Sequence, residues 1–198
     1  MAKRTGDPIT LGSGKLYFQE YTDTVPDFAG IQALCVDGNR LALIKGGAAL
    51  EYTQETYEEK DDLGLASKVI TVKEDVKLKC GLLTWTGDTI GVLIDHSKVE
   101  TASGVRTTKI GGAGNKKGKY YVLAFHHEDP TDGDLWVVLV GRNSAGLTLT
   151  FASESGTVLE AEFTAKPGAD GTLVTVYEEL DATTSSQRSG SPHRSPAF

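Results

Sequence analysis

The sequence predicts a mainly β domain: a β-sandwich or barrel with one short flanking α-helix and a long extended loop. Three observations carry that reading. Short segments alternate apolar and polar side chains with a period of two, as in Val76, Leu78, Cys80 and Leu82 against Lys77, Lys79 and Gly81. The segments are separated by Gly, Asp and Asn turns. Helical spacing recurs at one place only, so strands and helices do not alternate as a doubly wound α/β fold requires.

Taken in order, residues 1–13 contain Gly6, Pro8 and Gly12 with few apolar side chains and read as an N-terminal arm. Lys15–Tyr21 reads as the first strand. Thr22–Asn39, with Pro26, Gly30 and Gly38, reads as a loop holding an apolar core at Ile31, Leu34 and Val36. Leu41–Lys45 reads as a short strand stopped by Gly46 and Gly47. Ala48–Thr56 is the next strand, with Leu50, Tyr52 and Gln54 alternating with Glu51, Thr53 and Glu55.

Tyr57–Asp62 carries Glu58, Glu59, Asp61 and Asp62 against Lys60 alone. It is expected to project as a loop or a long hairpin arm, since such a segment cannot bury itself. Composition alone favours a plain solvated hairpin there over a contact surface.

Val69–Val72 and Val76–Leu82 resume the strand pattern. Thr86 or Asp88 can N-cap a short helix bearing Ile90, Leu93 and Ile94 and ending near His96. Val105–Ile110 leads into glycine-rich 111–118, and Lys119–His127 is a strong strand. After the turn Asp129–Gly133, the apolar run Leu135–Val140 is expected at the centre with both faces covered. Asn143–Gly146 turns the chain into a strand over Leu147–Phe151. Val158–Ala165 alternates again, and Thr172–Glu178 is the last strand. The domain is therefore placed at 14–182, followed by a Ser, Arg and Pro tail over 183–198, expected to be disordered, whether a natural appendage or a cloning scar.

Composition narrows the function classes. A net charge of −7 argues against a protein that grips nucleic acid, because phosphate binding needs clustered Lys and Arg. No apolar run approaches the ~20 residues of a membrane helix, and the basic start has no apolar stretch behind it, so neither a membrane span nor a secretory leader is expected. Cys35 and Cys80 read as two buried thiols in a reducing compartment.

Catalytic patterns are expected to be absent. Gly111–Lys119 fails the phosphate-loop spacing: Ala113 stands where a glycine is needed, and no Ser or Thr follows Lys119. His126 and His127 point to opposite faces of a strand and do not easily share a metal ion, and Asp129–Asp134 lacks calcium-loop spacing. Neither Ser13 nor Ser144 sits in a nucleophile elbow. No cofactor and no metal are expected.

One resemblance spans most of residues 10–180. It rests on ordered segments: 11–17 (LGSGKLY), 39–48 (NRLALIKGGA), 50–52 (LEY), 58–64 (EEKDDLG), 83–87 (LTWTG), 109–112 (KIGG), 127–129 (HED), 132–134 (DGD) and 158–163 (VLEAEF). No single segment is diagnostic, but in this order the chain resembles the major tail (tail tube) proteins of long-tailed bacteriophages. The tail after about residue 184 has no counterpart in that pattern.

The resemblance implies a virion protein that is not an enzyme. It implies hexameric rings stacked head-to-tail into a hollow tube, built around a tape-measure protein, bounded by tail-terminator and tail-tip or baseplate proteins, and traversed by DNA without specific binding. The subunits would assemble in the cytoplasm of the host bacterium. Two assembly roles follow as expectations. Tyr57, Glu58, Glu59, Asp61 and Asp62 form an inter-subunit arm, with Lys109, Lys116, Lys117 and Lys119 as its basic counterpart. Glu51, Glu55, Glu160 and Glu162 face either the lumen, where they would repel phosphate, or outer solvent. The tube subunit of a contractile or secretion-type injection machine shares the architecture. A carbohydrate- or receptor-binding β-sandwich is the reading from a different class.

Overall fold

A computed structural model of the chain describes residues 10, 12–60, 67–151 and 156–180. The protein is mainly β. Its strands are β1 (Lys15–Glu20), β2 (Arg40–Lys60), β3 (Ser67–Leu82), β4 (Ser97–Ala102), β5 (Val105–Ile110), β6 (Tyr121–His127), β7 (Leu135–Asn143), β8 (Leu159–Ala165) and β9 (Val174–Glu178). Two short helices accompany them, α1 (Phe28–Leu34) and α2 (Gly87–Leu93).

Seven strands form one antiparallel sheet in the order β6-β1-β2-β3-β8-β7-β9. β6 also pairs with β7 along its whole length, from Tyr121↔Gly141 to His127↔Leu135, so the pairings run in a circuit back to β1. β7 manages three neighbours by dividing one edge: Leu135–Leu139 meets β9 and Gly141–Asn143 meets β8. β4 and β5 make a separate two-stranded ribbon.

Alternation along the strands sorts the core into two. Leu16, Leu78, Cys80, Leu82, Leu123, Leu139, Leu159, Ala161 and Phe163 point to one side, where Val92 and Leu93 of α2 join them. Tyr17, Val122, Ala124, Trp136, Val138 and Val140 point to the other, where Ile31 and Leu34 of α1 cover them. Both faces of β1, β6 and β7 are thus buried, as the continuous apolar run of β7 requires. Phe163, fully buried, is the largest side chain at the centre of the first cluster.

α2 forms where expected. Thr86 caps it: its hydroxyl accepts from the Asp88 amide at 3.2 Å, and the Thr89 hydroxyl accepts from the Thr86 amide at 3.1 Å. α1 corrects the reading of Thr22–Asn39 as a loop, and makes two helices where one was expected. Asp27 caps it by accepting from the Gly30 amide at 2.9 Å, and Ile31 and Leu34 bury one stripe of its roughly two turns.

Three further expectations are corrected. Gly46 and Gly47 do not stop a strand. Both sit at positive φ (84° and 81°), and the register slips between Lys45↔Gly81 and Ala48↔Cys80, so they form a bulge inside one continuous β2. Ser97–Ala102, not anticipated as a strand, pairs with β5 through a two-residue turn, Ser103-Gly104, whose residues both have positive φ. Leu147–Phe151 is not a strand: Leu147 and Leu149 pack against the core from unpaired backbone. Among the described residues no helix is long and apolar enough to cross a membrane.

Candidate functional site

The β2–β3 hairpin outgrows the sheet that carries it. β1 pairs with β2 only at Arg40–Leu43, and β8 pairs with β3 only from Lys77 to Leu82. Beyond those limits β2 and β3 pair, among the described residues, only with each other, from Tyr52↔Val76 out to Lys60↔Ser67 with one bulge after Glu55. The expected arm Tyr57–Asp62 therefore begins as regular strand through Lys60; Asp61 and Asp62 lie outside the described residues.

Exposure distinguishes this ribbon from an ordinary solvated hairpin. Leu50, Tyr52, Tyr57, Val69, Ile70 and Val72 are all exposed, between 40% and 58% of their surface. A two-stranded ribbon is marginal by itself in water, and clustered exposed apolar side chains mark a contact surface. Polar contacts between its strands and along each strand hold its shape. Tyr52 donates to Glu74 at 2.6 Å, Gln54 donates to Thr71 at 2.6 Å, Lys73 meets Asp75 at 2.5 Å, and Lys60 meets Glu58 at 3.1 Å. Tyr57 donates to Glu59. These hydrogen bonds to Glu74 and Glu59 hold the Tyr52 and Tyr57 phenols above their ordinary pKa.

Glu51, Glu55, Glu160 and Glu162 share one face, because β2, β3 and β8 are in register: Glu51↔Lys77, Lys79↔Glu162 and Gly81↔Glu160. It is the face opposite buried Leu78, Cys80, Ala161 and Phe163. Lysines interleave with these carboxylates, which inspection of single strands did not reveal. Lys79 meets Glu51 at 2.8 Å and Glu162 at 3.6 Å, Lys77 meets Glu162 at 2.8 Å, and Lys73 meets Glu55 at 3.9 Å. The Lys77 hydrogen bond, with help from Ser144, holds the Glu162 carboxyl below its ordinary pKa. The face is thus a charge ladder, with cross-strand pairs fixing its geometry.

The four lysines expected to receive the arm do not form one patch. Lys109 reaches Glu100 at 3.1 Å across the β4–β5 ribbon, where Lys98 joins it at 2.6 Å; together they lower the Glu100 pKa. Lys119 reaches Glu20 at 2.6 Å. Lys116 sits at an isolated bridge to His96. Lys117 turns inward and donates to the Gly91 carbonyl at 2.7 Å and to Ser97 Oγ at 3.1 Å, and desolvation lowers its pKa. That amine ties the end of α2 to β4.

A second cationic group went unnoticed in the sequence. Arg142 of β7 and Lys166, just past β8, both lie over the Tyr120 ring, at 5.3 Å and 4.9 Å, and Lys166 is also 5.2 Å from the Tyr21 ring. These residues are far apart in sequence and meet only because β6, β7 and β8 are neighbours, so no local motif announces them.

The histidines occupy a structured turn. His126 stacks on Trp136 with ring centroids 4.7 Å apart and meets Asp134 at 2.9 Å. His127 Nδ1 is 2.7 Å from the Ser13 carbonyl, which makes that nitrogen the protonated one in the neutral ring. Asp129 accepts from the Thr131 and Asp132 amides, both at 2.9 Å, which shapes the turn. Among the described residues no cluster of three His, Cys, Asp or Glu is placed to hold a metal ion. Burial pushes the Cys35 thiol up to about 11 and Cys80 up to about 12, leaving both as thiols at neutral pH.

No protein-family model matches the chain, and no curated protein matches it.

Proposed function

We propose that this chain is a tube-forming structural subunit of the tail-tube kind. Its strand circuit closes as a barrel, and copies join into stacked rings through the β2–β3 hairpin. The observation that carries the proposal is that hairpin: paired strands of 21 and 16 residues whose outer halves pair with no other strand among the described residues and expose apolar side chains on both faces. A free subunit gains little from such a ribbon, whereas a neighbour that covers it buries apolar surface at about 25 cal/mol per Å².

The ordered segments that resemble tail tube proteins support the same reading. They extend it to hexameric rings stacked head-to-tail, a tape-measure protein within, terminator and tip proteins at the ends, and DNA passage through the lumen of a virion tail. A head-to-tail contact is heterologous and can close into rings or run on as a filament. The face carrying Glu51, Glu55, Glu160 and Glu162 is the one assigned to the channel. Its interleaved lysines keep it from being a uniformly acidic wall, and the ion pairs leave few free cations to hold phosphate.

Charge reversal of Glu58, Glu59, Asp61 and Asp62 tests the arm. The reading predicts shorter or fewer tubes from the variant at equal protein concentration. Tubes of unchanged length and yield would show that the arm does not mediate assembly.

A further inference from the structure

Most cations of the described chain are matched by its own carboxylates: Lys15 by Glu128, Lys77 by Glu162, Lys79 by Glu51, Lys109 by Glu100, Lys119 by Glu20. Arg142 and Lys166 are among the cations that are not, and they stand together. Among the described residues neither has a carboxylate partner, yet both converge on the Tyr120 ring in a chain whose net charge is −7. With Ser144, Thr164, Ala165 and Pro167 they line an open cleft of about 360 Å³. Glu162 reaches its edge, at 3.1 Å from Ser144 Oγ, but that carboxylate is engaged by Lys77 at 2.8 Å and Lys79 at 3.6 Å.

We propose that this cleft binds a carboxylate side chain, and that its occupant is the acidic distal end of the β2–β3 hairpin of a second copy, which carries Glu58 on one face of β2 and Glu59 on the other. The proposal rests on the reading that the chain self-assembles through that hairpin, and it names the surface that receives it. The chemistry fits the ligand. A guanidinium offers two parallel donors to a carboxylate, the aromatic faces hold both cations in place before binding, and the Thr164 hydroxyl, 2.8 Å from a Ser144 Oγ that itself donates to Glu162, adds one donor. Lys109 and Lys119 would first have to leave Glu100 and Glu20, and Lys117 is enclosed by its own partners.

The topology also fits. Thr164 pairs with Lys77, so the cleft lies where the hairpin leaves the sheet. From there β3 runs back from Asp75 to Ser67, roughly 25–30 Å at about 3.4 Å per residue. A copy shifted along the hairpin by one arm length brings its cleft level with the tip of the preceding copy. Such a contact uses two different surfaces and repeats indefinitely, as head-to-tail stacking requires.

Sedimentation velocity over a concentration series, on full-length chains, tests this. The samples are wild type, R142E/K166E, E58K/E59K, and an equimolar mixture of the two variants, with circular dichroism and thermal melting as fold controls. Each variant alone is expected to need about tenfold or more protein to assemble, and the mixture to recover wild-type behaviour because each reversed tip meets a reversed cleft. If R142E/K166E is misfolded, R142Q/K166Q takes its place, with a smaller rise expected. Wild type that assembles while the cleft variants assemble at the same concentration overturns the cleft and leaves self-assembly standing. Variants that each fail but do not complement also overturn the pairing. Wild type that stays monomeric throughout overturns the assembly reading and the cleft together.

Discussion

Removing the outer hairpin separates assembly from folding. Replacing Thr53–Asp75 by Asn-Gly closes β2 onto β3 at the Tyr52↔Val76 pair, where a two-residue turn fits a hairpin. None of the described residues deleted belongs to either buried cluster: the larger one draws on β3 from Leu78 onward and on Leu41, Ala42, Ile44 and Ala48 of β2, and the smaller one on neither strand. Lost are exposed contacts such as Lys73–Asp75 and Tyr52–Glu74, each a surface interaction of about 0–1 kcal/mol. Against that, shortening the connection relieves at most about 2 kcal/mol of loop-closure entropy. The two nearly cancel, so the melting temperature should move by no more than about 2–4 °C, the shift expected from about 1 kcal/mol in a domain of this size. Assembly, read by sedimentation and electron microscopy, should vanish. A variant that forms tubes like the wild type refutes the arm, and one that no longer folds refutes its separation from the core.

The core and its edges give further expectations. Phe163→Ala should cost about 3–5 kcal/mol, because it empties the centre of the larger cluster, and should lower the melting temperature by roughly 10 °C or more. Thr86→Ala removes the side-chain half of a capping box, leaving the backbone amide at 86 to donate to Thr89, and should cost about 1 kcal/mol in the same melt. Glu162 has a depressed pKa, so its contribution is present above its ordinary value of 4.5 and is lost as pH falls through the lowered folded value. Urea titrations of wild type and Glu162→Gln should therefore differ at pH 7 and converge in acid below that window; a difference that persists or grows in acid contradicts the Lys77–Glu162 assignment.

Much of the sheet is legible because alternation reports burial directly. Leu159, Ala161 and Phe163, like Val76, Leu78 and Cys80, lie on the side the pattern requires, and Thr86 marks a real cap. What escapes reading is whatever depends on a partner outside the local window. Pro26 and Gly30 read as breakers, yet Asp27 caps a helix between them because Ile31 and Leu34 find β1, β6 and β7 to cover. Gly46-Gly47 reads as a stop when β3 is out of view, and as a bulge once the register is known. Leu147 and Leu149 are apolar for packing, not for pairing.

The site divides in the same way. The acidic arm is legible from its composition as far as Lys60: Glu58 and Glu59 stand exposed on the projecting hairpin. The separate surroundings of the four lysines set against it are not. Sequence proximity groups Lys116, Lys117 and Lys119, whereas the fold sends them to His96, to Gly91 and Ser97, and to Glu20. Arg142 and Lys166, separated in sequence, are the pair that the strand order brings together.

Electron microscopy of the purified full-length protein tests the central claim most directly. The account predicts rings with a central hole, stacking into tubes as concentration rises. A population that remains monomeric at every concentration would contradict it.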